Sequence, residues 1–302
     1  SAIKSVSVYA PALDDGTING ASVIDDYPML LNGEVWPRNA NWRYQGLTAL
    51  HTAIAQSLNT CAVRTNLAYG VSNSYDFLVD KLGFENLTYT DSQQVGNMAL
   101  GGFEKGVTTE EMSAAYAAFV NEGVYTKPRT FIRVEDANGN VVLENEAQST
   151  VAMKNTTAAI INHLLQEAAL NGTGYEAQFS GMHIAGKTGS TNSNKDRYFV
   201  GYTPYYSCAV WAGYEHNQRI VASGNPCSAV FRKVMSAIHA DLPDKDFFSC
   251  AGLTSVAVCA DSGMLASENC ALDVRGSRVY TALVAADNAP TAVCTMHTAP
   301  TY

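Results

Sequence analysis

The chain has 302 residues, with 19 lysine and arginine side chains against 28 aspartate and glutamate side chains, so its formal net charge is −9. Hydrophobic residues make up 47% and charged residues 16%, which excludes intrinsic disorder and allows a sizeable buried core. The acidic balance argues against nucleic acid or anionic lipid as the main partner, and no apolar run approaches the roughly 18 residues of a membrane-spanning helix.

The first half of the chain carries predicted helices separated by loops. The pattern is helical from the first residues to Leu13, so we expect a preceding segment of the same polypeptide. Residues 46–67 have apolar side chains at steps of three and four, which predicts a helix, and Asn59 and Thr60 favour a second helix start within it. The other elements predicted before residue 150 are a helix over residues 74–81, a helix from Thr108 through Val120 and a hairpin over residues 125–143.

The second half predicts a sheet between helices. A helix over residues 156–170 precedes three strands, over residues 182–187, 197–202 and 206–214. A final amphipathic helix over residues 228–240 has Val230, Val234, Met235 and Ile238 on one side. This order indicates an α+β fold, in which helices pack on an antiparallel sheet. Helical periodicity fades from Leu242, so we predict a main domain over residues 1–241 and a small tail over residues 242–302.

The cysteines suggest a compartment but no cofactor. Cys250, Cys259, Cys270 and Cys294 all lie in the tail, a density that favours disulfides and an oxidising environment, with buried free thiols as the alternative. None of the seven cysteines forms a C-x-x-C pair and the six histidines are scattered. We therefore expect no structural zinc site, no other metal and no cofactor.

Two short motifs in the first sixty residues could carry chemistry. Ser1 and Lys4 form an S-x-x-K pattern, which on a helix places both side chains on one face, one turn apart. A partly desolvated lysine near a second cation has a lowered pKa and could deprotonate the serine. Ser57 and Asn59 form an S-x-N pattern, which taken alone is equally typical of a helix cap.

A third motif follows the first predicted strand of the sheet. Lys187, Thr188, Gly189 and Ser190 combine an ammonium, two hydroxyls and a glycine at the strand end. The ammonium and the hydroxyls favour binding of an anionic group, and the glycine allows the ligand close to the backbone. The plainer interpretation of the same residues is a strand that runs into a glycine turn.

Together and in this order, the three motifs resemble the S-x-x-K, S-D-N and K-T-G set of penicillin-binding proteins and class A β-lactamases. The Leu-Gly-Gly of residues 100–102 and the Phe-Val-Gly-Tyr-Thr-Pro of residues 199–204 also resemble class A penicillin-binding proteins, and the resemblance covers about residues 1–240. Leu58 replaces the aspartate of the second motif, which fits penicillin-binding proteins better than class A β-lactamases. The resemblance implies an antiparallel sheet with helices packed on both faces, plus a helical subdomain.

The resemblance further implies a peptidoglycan D,D-transpeptidase that is a target of β-lactams. Its serine attacks the carbonyl between the last two D-alanines of a stem peptide, with backbone N–H groups of Ser1 and Ser190 as the oxyanion hole. It works at the outer face of the bacterial cell membrane, with an anchor in a preceding segment and no membrane contact from this chain. The implied catalytic residues are Ser1, Lys4, Ser57, Asn59 and Lys187, and the implied substrate-binding residues are Thr188, Gly189 and Ser190.

Other functions share parts of this pattern. A class A β-lactamase needs a glutamate to activate water, and Glu167 to Asn171 superficially fits E-x-x-L-N, although on a predicted helix. An N-terminal-nucleophile hydrolase acts through the amine of Ser1 and leaves the other motifs unexplained. A penicillin-sensing receptor domain carries the motifs without making cross-linked peptide, and a D,D-carboxypeptidase hydrolyses the acyl-enzyme.

The tail from Leu242 resembles the short cysteine-bearing ends of some Gram-positive class A penicillin-binding proteins, most of all at residues 258–263. With that resemblance we favour a disulfide between Cys259 and Cys270, although four cysteines permit three pairings. The sequence predicts no function for the tail.

Overall fold

The computed structural model describes residues 1–31 and 33–298. Within these residues, ten α-helices and two π-helical turns (Ser5–Tyr9 and Phe77–Lys81) accompany thirteen short strands. The helices are α1 (Ala10–Asp15), α2 (Leu50–Ala55), α3 (Asn59–Tyr69), α4 (Val71–Asp76), α5 (Tyr89–Gln93), α6 (Val95–Leu100), α7 (Thr109–Val120), α8 (Asn155–Leu170), α9 (Pro226–Ile238) and α10 (Glu268–Ala271).

The strands form small antiparallel sheets. The main sheet has the order β11-β10-β9, and the remaining strands form two-stranded pairs: β1 with β4, β2 with β3, β5 with β8, β6 with β7, and β12 with β13. The strands are β1 (Val23–Asp26), β2 (Met29–Leu31), β3 (Glu34–Trp36), β4 (Gly46–Ala49), β5 (Val124–Thr126), β6 (Arg133–Glu135), β7 (Val141–Glu144), β8 (Ser149–Val151), β9 (Ala185–Ser190), β10 (Asp196–Tyr202), β11 (Ser207–Gly213), β12 (Leu253–Cys259) and β13 (Val279–Ala285).

Helices cover both faces of the main sheet. Because side chains alternate along a strand, neighbouring residues of β10 face opposite sides. Phe199 packs on Phe231 of α9, with ring centroids 4.7 Å apart. Tyr202 faces the other way and packs on Tyr116 of α7, with ring centroids 6.2 Å apart. The predicted α+β fold, with helices on both faces and a helical part formed by α3 to α6, is confirmed.

Buried tyrosines connect the sheet to the first residues of the chain. The hydroxyl of Tyr202 donates to Asn162 Oδ1 of α8 at 2.6 Å, and the amide nitrogen of Asn162 donates to the carbonyl of Phe119 at 2.9 Å. The hydroxyl of Tyr116 donates to the carbonyl of Ala2 at 2.6 Å. Since buried polar groups without partners are costly, these bonds hold residue 2 in one place relative to the sheet.

Two predictions from local pattern are wrong in part. Residues 46–49 form strand β4, paired with β1, rather than the start of a helix; the second helix start at Asn59 is confirmed. The predicted hairpin over residues 125–143 is limited to β6 and β7, because β5 pairs with β8 instead. Local periodicity carries no information about which strands pair. In both of these segments the pairing of strands decides the structure.

Helix α9 presents a different face to the sheet than its sequence predicts. Val230, Val234 and Ile238 are 49%, 44% and 49% exposed, whereas Phe231 and Met235 are fully buried. Phe231 and Met235 lie four residues apart and face the sheet, where the ring of Phe231 covers Phe199. The aromatic side chain therefore sets the buried face, and the β-branched stripe lies at the surface.

The tail folds onto the main domain as a hairpin of β12 and β13. The hydroxyl of Tyr280 donates to the carbonyl of Ala21 at 3.4 Å, and Asn19 Nδ2 donates to the carbonyl of Asn288 at 3.1 Å. The expected disulfide of Cys259 with Cys270 is not formed, since all seven cysteines are free thiols. Among the described residues, no helix combines the length and apolar character needed to cross a membrane.

The packing of α9 leads to a stability prediction. We expect Phe231→Ala to lower the free energy of unfolding by about 3–5 kcal/mol, because it removes a fully buried ring and leaves a cavity. The neighbouring substitution Val230→Ala, on the exposed face, serves as the control and should change stability by less than about 0.5 kcal/mol. Urea unfolding followed by circular dichroism measures both, and equal effects would contradict the assigned faces.

Candidate active site

The segment that carries Ser1 enters the core at once. Ala2 and Ile3 are buried, and the N–H of Lys4 donates to the carbonyl of Ser1 at 3.3 Å, which forms a first turn ahead of Ser5–Tyr9. Apolar side chains occur on every side of this segment, as in a helix surrounded by core. Ser1 stays partly exposed and lines a cavity.

The side chain of Lys4 is fully buried and bridges the first motif to the second. Its nitrogen donates to Asn59 Oδ1 at 2.6 Å, to the carbonyl oxygen of Ser57 at 2.8 Å and to Ser57 Oγ at 3.4 Å. Burial, and after it the positive charge of Lys187, lower the pKa of Lys4 well below its ordinary value. The environment therefore favours the neutral amine, which is the form that a general base requires.

The turn between α2 and α3 presents Ser57 to this lysine. The φ of Ser57 is +59°, in the left-handed region that non-glycine residues seldom occupy. Its N–H donates to the carbonyl of Ile54, and the N–H of Leu58 donates to the carbonyl of Ala53, so α2 is closed at this point. The strained residue allows both oxygens of Ser57 to face Lys4, and such strain is typical of functional sites.

A buried carboxylate holds the start of α3, and with it Asn59. The N–H of Asn59 donates to Asn39 Oδ1 at 2.7 Å, and Asn39 Nδ2 donates to Asp26 Oδ1 at 2.7 Å. Asp26 also accepts from the hydroxyl of Thr60 and, at 2.8 Å, from the N–H of Gln45. The carboxylate thus has a donor at each oxygen, which is what a charge without solvent contact needs. Pattern reasoning did not identify this network.

The third motif lies at the end of β9. Lys187 is 1% exposed, and its nitrogen has no hydrogen-bond partner among the described residues. Burial lowers the pKa of Lys187 to about 7. The hydroxyl of Thr188 donates to Thr173 Oγ1 at 2.7 Å, and Arg197 Nη1 on the neighbouring strand donates to Ser190 Oγ at 3.2 Å. The strand end therefore combines positive charge with hydroxyl groups, as an anion site requires.

Gly189 allows β9 to lie directly against the first motif. A Cβ added at this residue would lie 2.9 Å from the backbone nitrogen of Ala2 and 3.0 Å from Tyr198 Cβ, closer than side chains pack. The sequence pattern suggested that this glycine makes room for a ligand. The structure shows that it makes room for the backbone beside Ser1, so the first and third motifs are in contact.

A cavity of about 370 Å³ opens where these elements meet. Ser1, Gly189 and Ser190 form one part of its wall, and the aromatic rings of Tyr198 and Trp211 form another. Lys4 and Lys187 are buried and do not line it. Among the predicted site residues, the structure joins Lys4 to Ser57 and Asn59 by side-chain hydrogen bonds. It links Lys4 to Ser1 through the backbone alone, and places Ser1, Gly189 and Ser190 against the same cavity.

Comparison with known proteins identifies the family. The profile of the penicillin binding protein transpeptidase domain matches residues 1–236, which is more than half of the chain. The chain belongs to the penicillin-binding protein transpeptidase domain family. A second profile, the C-terminal domain of penicillin-binding protein 1A, matches residues 249–299.

Curated relatives carry the same name. Penicillin-binding protein 1A of Clostridium perfringens is 35% identical to this transpeptidase domain chain, over 99% of the chain and 37% of the relative. Penicillin-binding protein 1A of Clostridium novyi is 34% identical, over 92% of the chain and 33% of the relative. The chain thus spans about a third of the length of these relatives.

Solved structures share the fold. The structure of penicillin-binding protein 1A from Haemophilus influenzae superposes with a TM-score of 0.79 at 22% sequence identity, over 97% of this chain and 48% of the other. At that identity the match concerns the fold, which extends through the tail as well as the transpeptidase domain.

Several cavity residues of the transpeptidase domain are missing from the sequence-based prediction. Phe103, Tyr198 and Trp211 line the cavity, and Trp211 Nε1 donates to Asp196 Oδ1 at 3.1 Å. They come from three separate elements and form no local motif, so only the register of β10 with β11 brings Tyr198 opposite Trp211. These rings give the cavity an apolar wall of the kind that ligand sites have.

Glu167, the glutamate considered for the β-lactamase alternative, does not lie at the cavity. Glu167 is in α8, accepts a hydrogen bond from Asn171 Nδ2 at 3.0 Å, and is not among the described residues that line the cavity. It is a helix residue at this position, as its predicted secondary structure suggested.

The buried carboxylate gives a testable consequence for stability. We expect Asp26→Ala to lower the free energy of unfolding by about 2–4 kcal/mol, because Asn39, Thr60 and the backbone of Gln45 lose their acceptor. Asp25→Ala, at the exposed neighbouring position of β1, is the matched control and should have little effect. Thermal unfolding measures both, and an unchanged melting temperature for Asp26→Ala would show that the network is dispensable.

Proposed function

We propose that this chain is the transpeptidase unit of a longer penicillin-binding protein, and that Ser1 forms an acyl-enzyme with the D-Ala-D-Ala end of peptidoglycan stem peptides. The observation that carries the proposal is the buried nitrogen of Lys4, one turn beyond Ser1 and hydrogen-bonded to Ser57 and Asn59. A lysine held in this way, with a lowered pKa, is suited to accept the serine proton.

In the acylation step, Ser1 Oγ attacks the carbonyl carbon of the penultimate D-alanine and gives its proton to neutral Lys4. The new C–O bond replaces the C–N bond, and the terminal D-alanine leaves after its nitrogen takes a proton from Lys4. Ser57 Oγ, at 3.4 Å from Lys4 Nζ, is placed to relay this proton. The product is an ester between Ser1 and the shortened stem peptide.

In the second step, the amine of a neighbouring stem peptide attacks the ester. An amide bond forms, the Ser1 C–O bond breaks, and the amine proton returns through Lys4 to the serine oxygen. The amide is the cross-link between two peptidoglycan strands. If water attacks instead, the product is a free carboxylate, so the fate of the acyl-enzyme separates transpeptidase from D,D-carboxypeptidase activity.

The terminal carboxylate of the stem peptide is assigned to the end of β9. Ser190 and Thr188 offer hydroxyl groups, and Lys187 and Arg197 supply positive charge. Lys187 lacks a hydrogen-bond partner within the described part of the chain. Its charge lies behind the cavity wall, where no described residue neutralises it, and so attracts an anion in the cavity. β-Lactams carry a carboxylate beside a strained amide, which supports them as ligands of the same site.

We assign the donors of the oxyanion hole to the backbone N–H groups of Ser1 and Ser190, each worth about 3 kcal/mol of transition-state stabilisation. Both residues line the cavity, as donors to a bound carbonyl must.

We assign the whole protein to the outer face of the bacterial cell membrane, anchored through a segment outside this chain, with stem peptides and β-lactams as its partners. We also propose that the transpeptidase domain ends near residue 241 and that residues 242–302 form a separate small domain. The family profiles support this division, because one ends at residue 236 and the other begins at residue 249.

Covalent labelling tests the nucleophile. We expect the complete protein to bind fluorescent penicillin on the peptide that contains Ser1, and Ser1→Ala to reduce the labelling rate by about 10⁴ or more. Ser255→Ala, an exposed serine of the tail, is the control and should label normally. Incubation of the unaltered protein with stem peptides should also yield a cross-linked dimer, which mass spectrometry detects. Penicillin label that persists in Ser1→Ala would overturn the assignment of Ser1 as the nucleophile.

The two lysines predict a bell-shaped pH dependence of penicillin acylation. The rate rises with pH as Lys4 loses its proton, and falls as Lys187, whose pKa is about 7 in the free site, loses its charge. We expect Lys187→Arg, which keeps its charge at all these pH values, to move the falling limb to higher pH.

The second-order rate constant of acylation is measured from pH 5 to pH 10. Its pH dependence reports the pKa values of the two lysines in the free enzyme. Lys105→Arg, at an exposed position, is the matched control and should keep the falling limb in place. A falling limb that is identical in Lys187→Arg and in the unaltered protein would contradict the role of Lys187.

A further inference from the structure

Three cysteines and one histidine of the tail meet at one point. Cys259 ends β12, Cys270 lies in α10, and Cys294 and His297 belong to the segment after β13. One sulfur from each cysteine and one ring nitrogen all lie within 4.8 Å of one another. The cysteines are at most 3% exposed and the His297 side chain is 7% exposed, so the cluster is closed to solvent.

These separations suit a tetrahedral metal ion. With Zn–S bonds of about 2.3 Å and Zn–N bonds of about 2.0 Å, tetrahedral ligand atoms lie about 3.4 to 3.8 Å apart. Cys259 Sγ and His297 Nε2 are 3.3 Å apart. A small contraction of the other separations would bring all four atoms to bonding distance of one ion.

The histidine is oriented for ligation. His297 Nδ1 lies 2.9 Å from Asp273 Oδ2, so this carboxylate would hold the proton of a ring that binds a metal through Nε2. Nε2 faces the cluster, 3.3 Å from Cys259 Sγ and 3.3 Å from Asp261 Oδ2. A carboxylate that fixes the ring and tautomer of a ligating histidine is the usual outer partner of a zinc site.

Hydrogen-bond donors also point at the sulfur atoms. The backbone N–H of Asp261 donates to Cys259 Sγ at 3.4 Å, and the backbone N–H of Ser267 donates to Cys270 Sγ at 3.4 Å. The hydroxyl of Ser267 lies 3.3 Å from the same Cys270 sulfur. Such donors stabilise the thiolate, which is the form of cysteine that binds a metal.

The neighbouring carboxylates are occupied by arginines. Asp261 has contacts of 2.6 Å with both Arg275 and Arg278, and Asp273 accepts from Arg275 Nε at 2.8 Å. These ion pairs neutralise both carboxylates. Asp261 Oδ2 also lies 3.3 Å from His297 Nε2, a contact that a Zn–N bond would replace. The sulfur and nitrogen atoms are therefore the available donors, and thiolate with imidazole is the donor set that zinc prefers among divalent ions.

A disulfide explains the cluster less well. Any disulfide among Cys259, Cys270 and Cys294 leaves one buried thiol unpaired and does not involve His297. One metal ion uses all four groups. Cys294 and His297 are also separated by two residues, a spacing common between zinc ligands.

We propose that Cys259, Cys270, Cys294 and His297 bind one Zn²⁺ ion as a closed structural site in the tail. The three thiols lose their protons to solvent as the Zn–S bonds form. Because the protein fills all four positions, no coordination position is open for catalysis. The ion fastens the segment after β13 to the hairpin of β12 and β13.

The tail needs such a cross-link because its own apolar core is small. The buried apolar residues around the hairpin are limited, in the described part of the chain, to Val258, Ala282 and Val284 with Ala21 of the main domain, beside the cysteines themselves. A unit of about fifty residues with so little core usually depends on a metal or disulfides.

Metal analysis of the complete protein, purified without chelator from zinc-supplemented medium, tests the site. We expect about one zinc per chain by inductively coupled plasma mass spectrometry. Cys294→Ser and His297→Gln should lose the bound zinc, whereas Cys250→Ser, a tail cysteine outside the cluster, should keep it. Replacement of zinc by Co²⁺ in the unaltered protein should give the intense visible absorption of tetrahedral cobalt thiolate.

A variant that keeps all four ligands separates weaker zinc binding from loss of the fold. We expect Asp273→Asn to weaken zinc binding by about 10–100-fold in a chelator competition, because His297 loses its orienting carboxylate. An unaltered protein that takes up neither zinc nor cobalt would overturn the proposal, and so would a Cys259–Cys270 disulfide in unreduced peptide maps. Penicillin labelling of Ser1 is independent of both outcomes.

Discussion

The buried nitrogen of Lys4 is the interaction on which the site depends. It joins the helix that follows Ser1 to the turn that carries Ser57 and Asn59. An amine without solvent contact is costly unless its acceptors stay in one geometry. The positive φ of Ser57 and the buried carboxylate of Asp26 both serve that requirement, because one aims the acceptors and the other fixes the start of α3.

Lys187 shows the opposite situation. It is as buried as Lys4, yet its nitrogen has no acceptor among the described residues, and the two positive charges disfavour one another. An unpaired buried charge lowers the stability of the ligand-free protein, and an anionic ligand restores that stability when it binds. The same repulsion lowers the pKa of Lys4. The proposed function therefore uses one uncompensated cation twice, for recognition of the anion and for activation of the serine.

Sequence reasoning proposed candidate site residues where the partners lie close along the chain. Ser1 lies one turn from Lys4, and Ser57 two residues from Asn59, so short patterns contain the chemistry. It failed where the partner is distant: the Thr60 hydroxyl reaches Asp26 across 34 positions, and only strand pairing brings the cavity aromatics together. The same limit explains why residues 46–49, apolar at helical spacing, form a strand beside β1.

The tail connects to the site through the segment between α1 and β1. A Cβ added at Gly20 would lie 1.9 Å from the carbonyl oxygen of Leu283, so the backbone of the hairpin packs directly on the chain that leaves α1. That chain continues into β1, which ends at Asp26, the carboxylate that holds α3. The hairpin therefore packs on the segment that leads to Asp26, and none of its described residues lines the cavity.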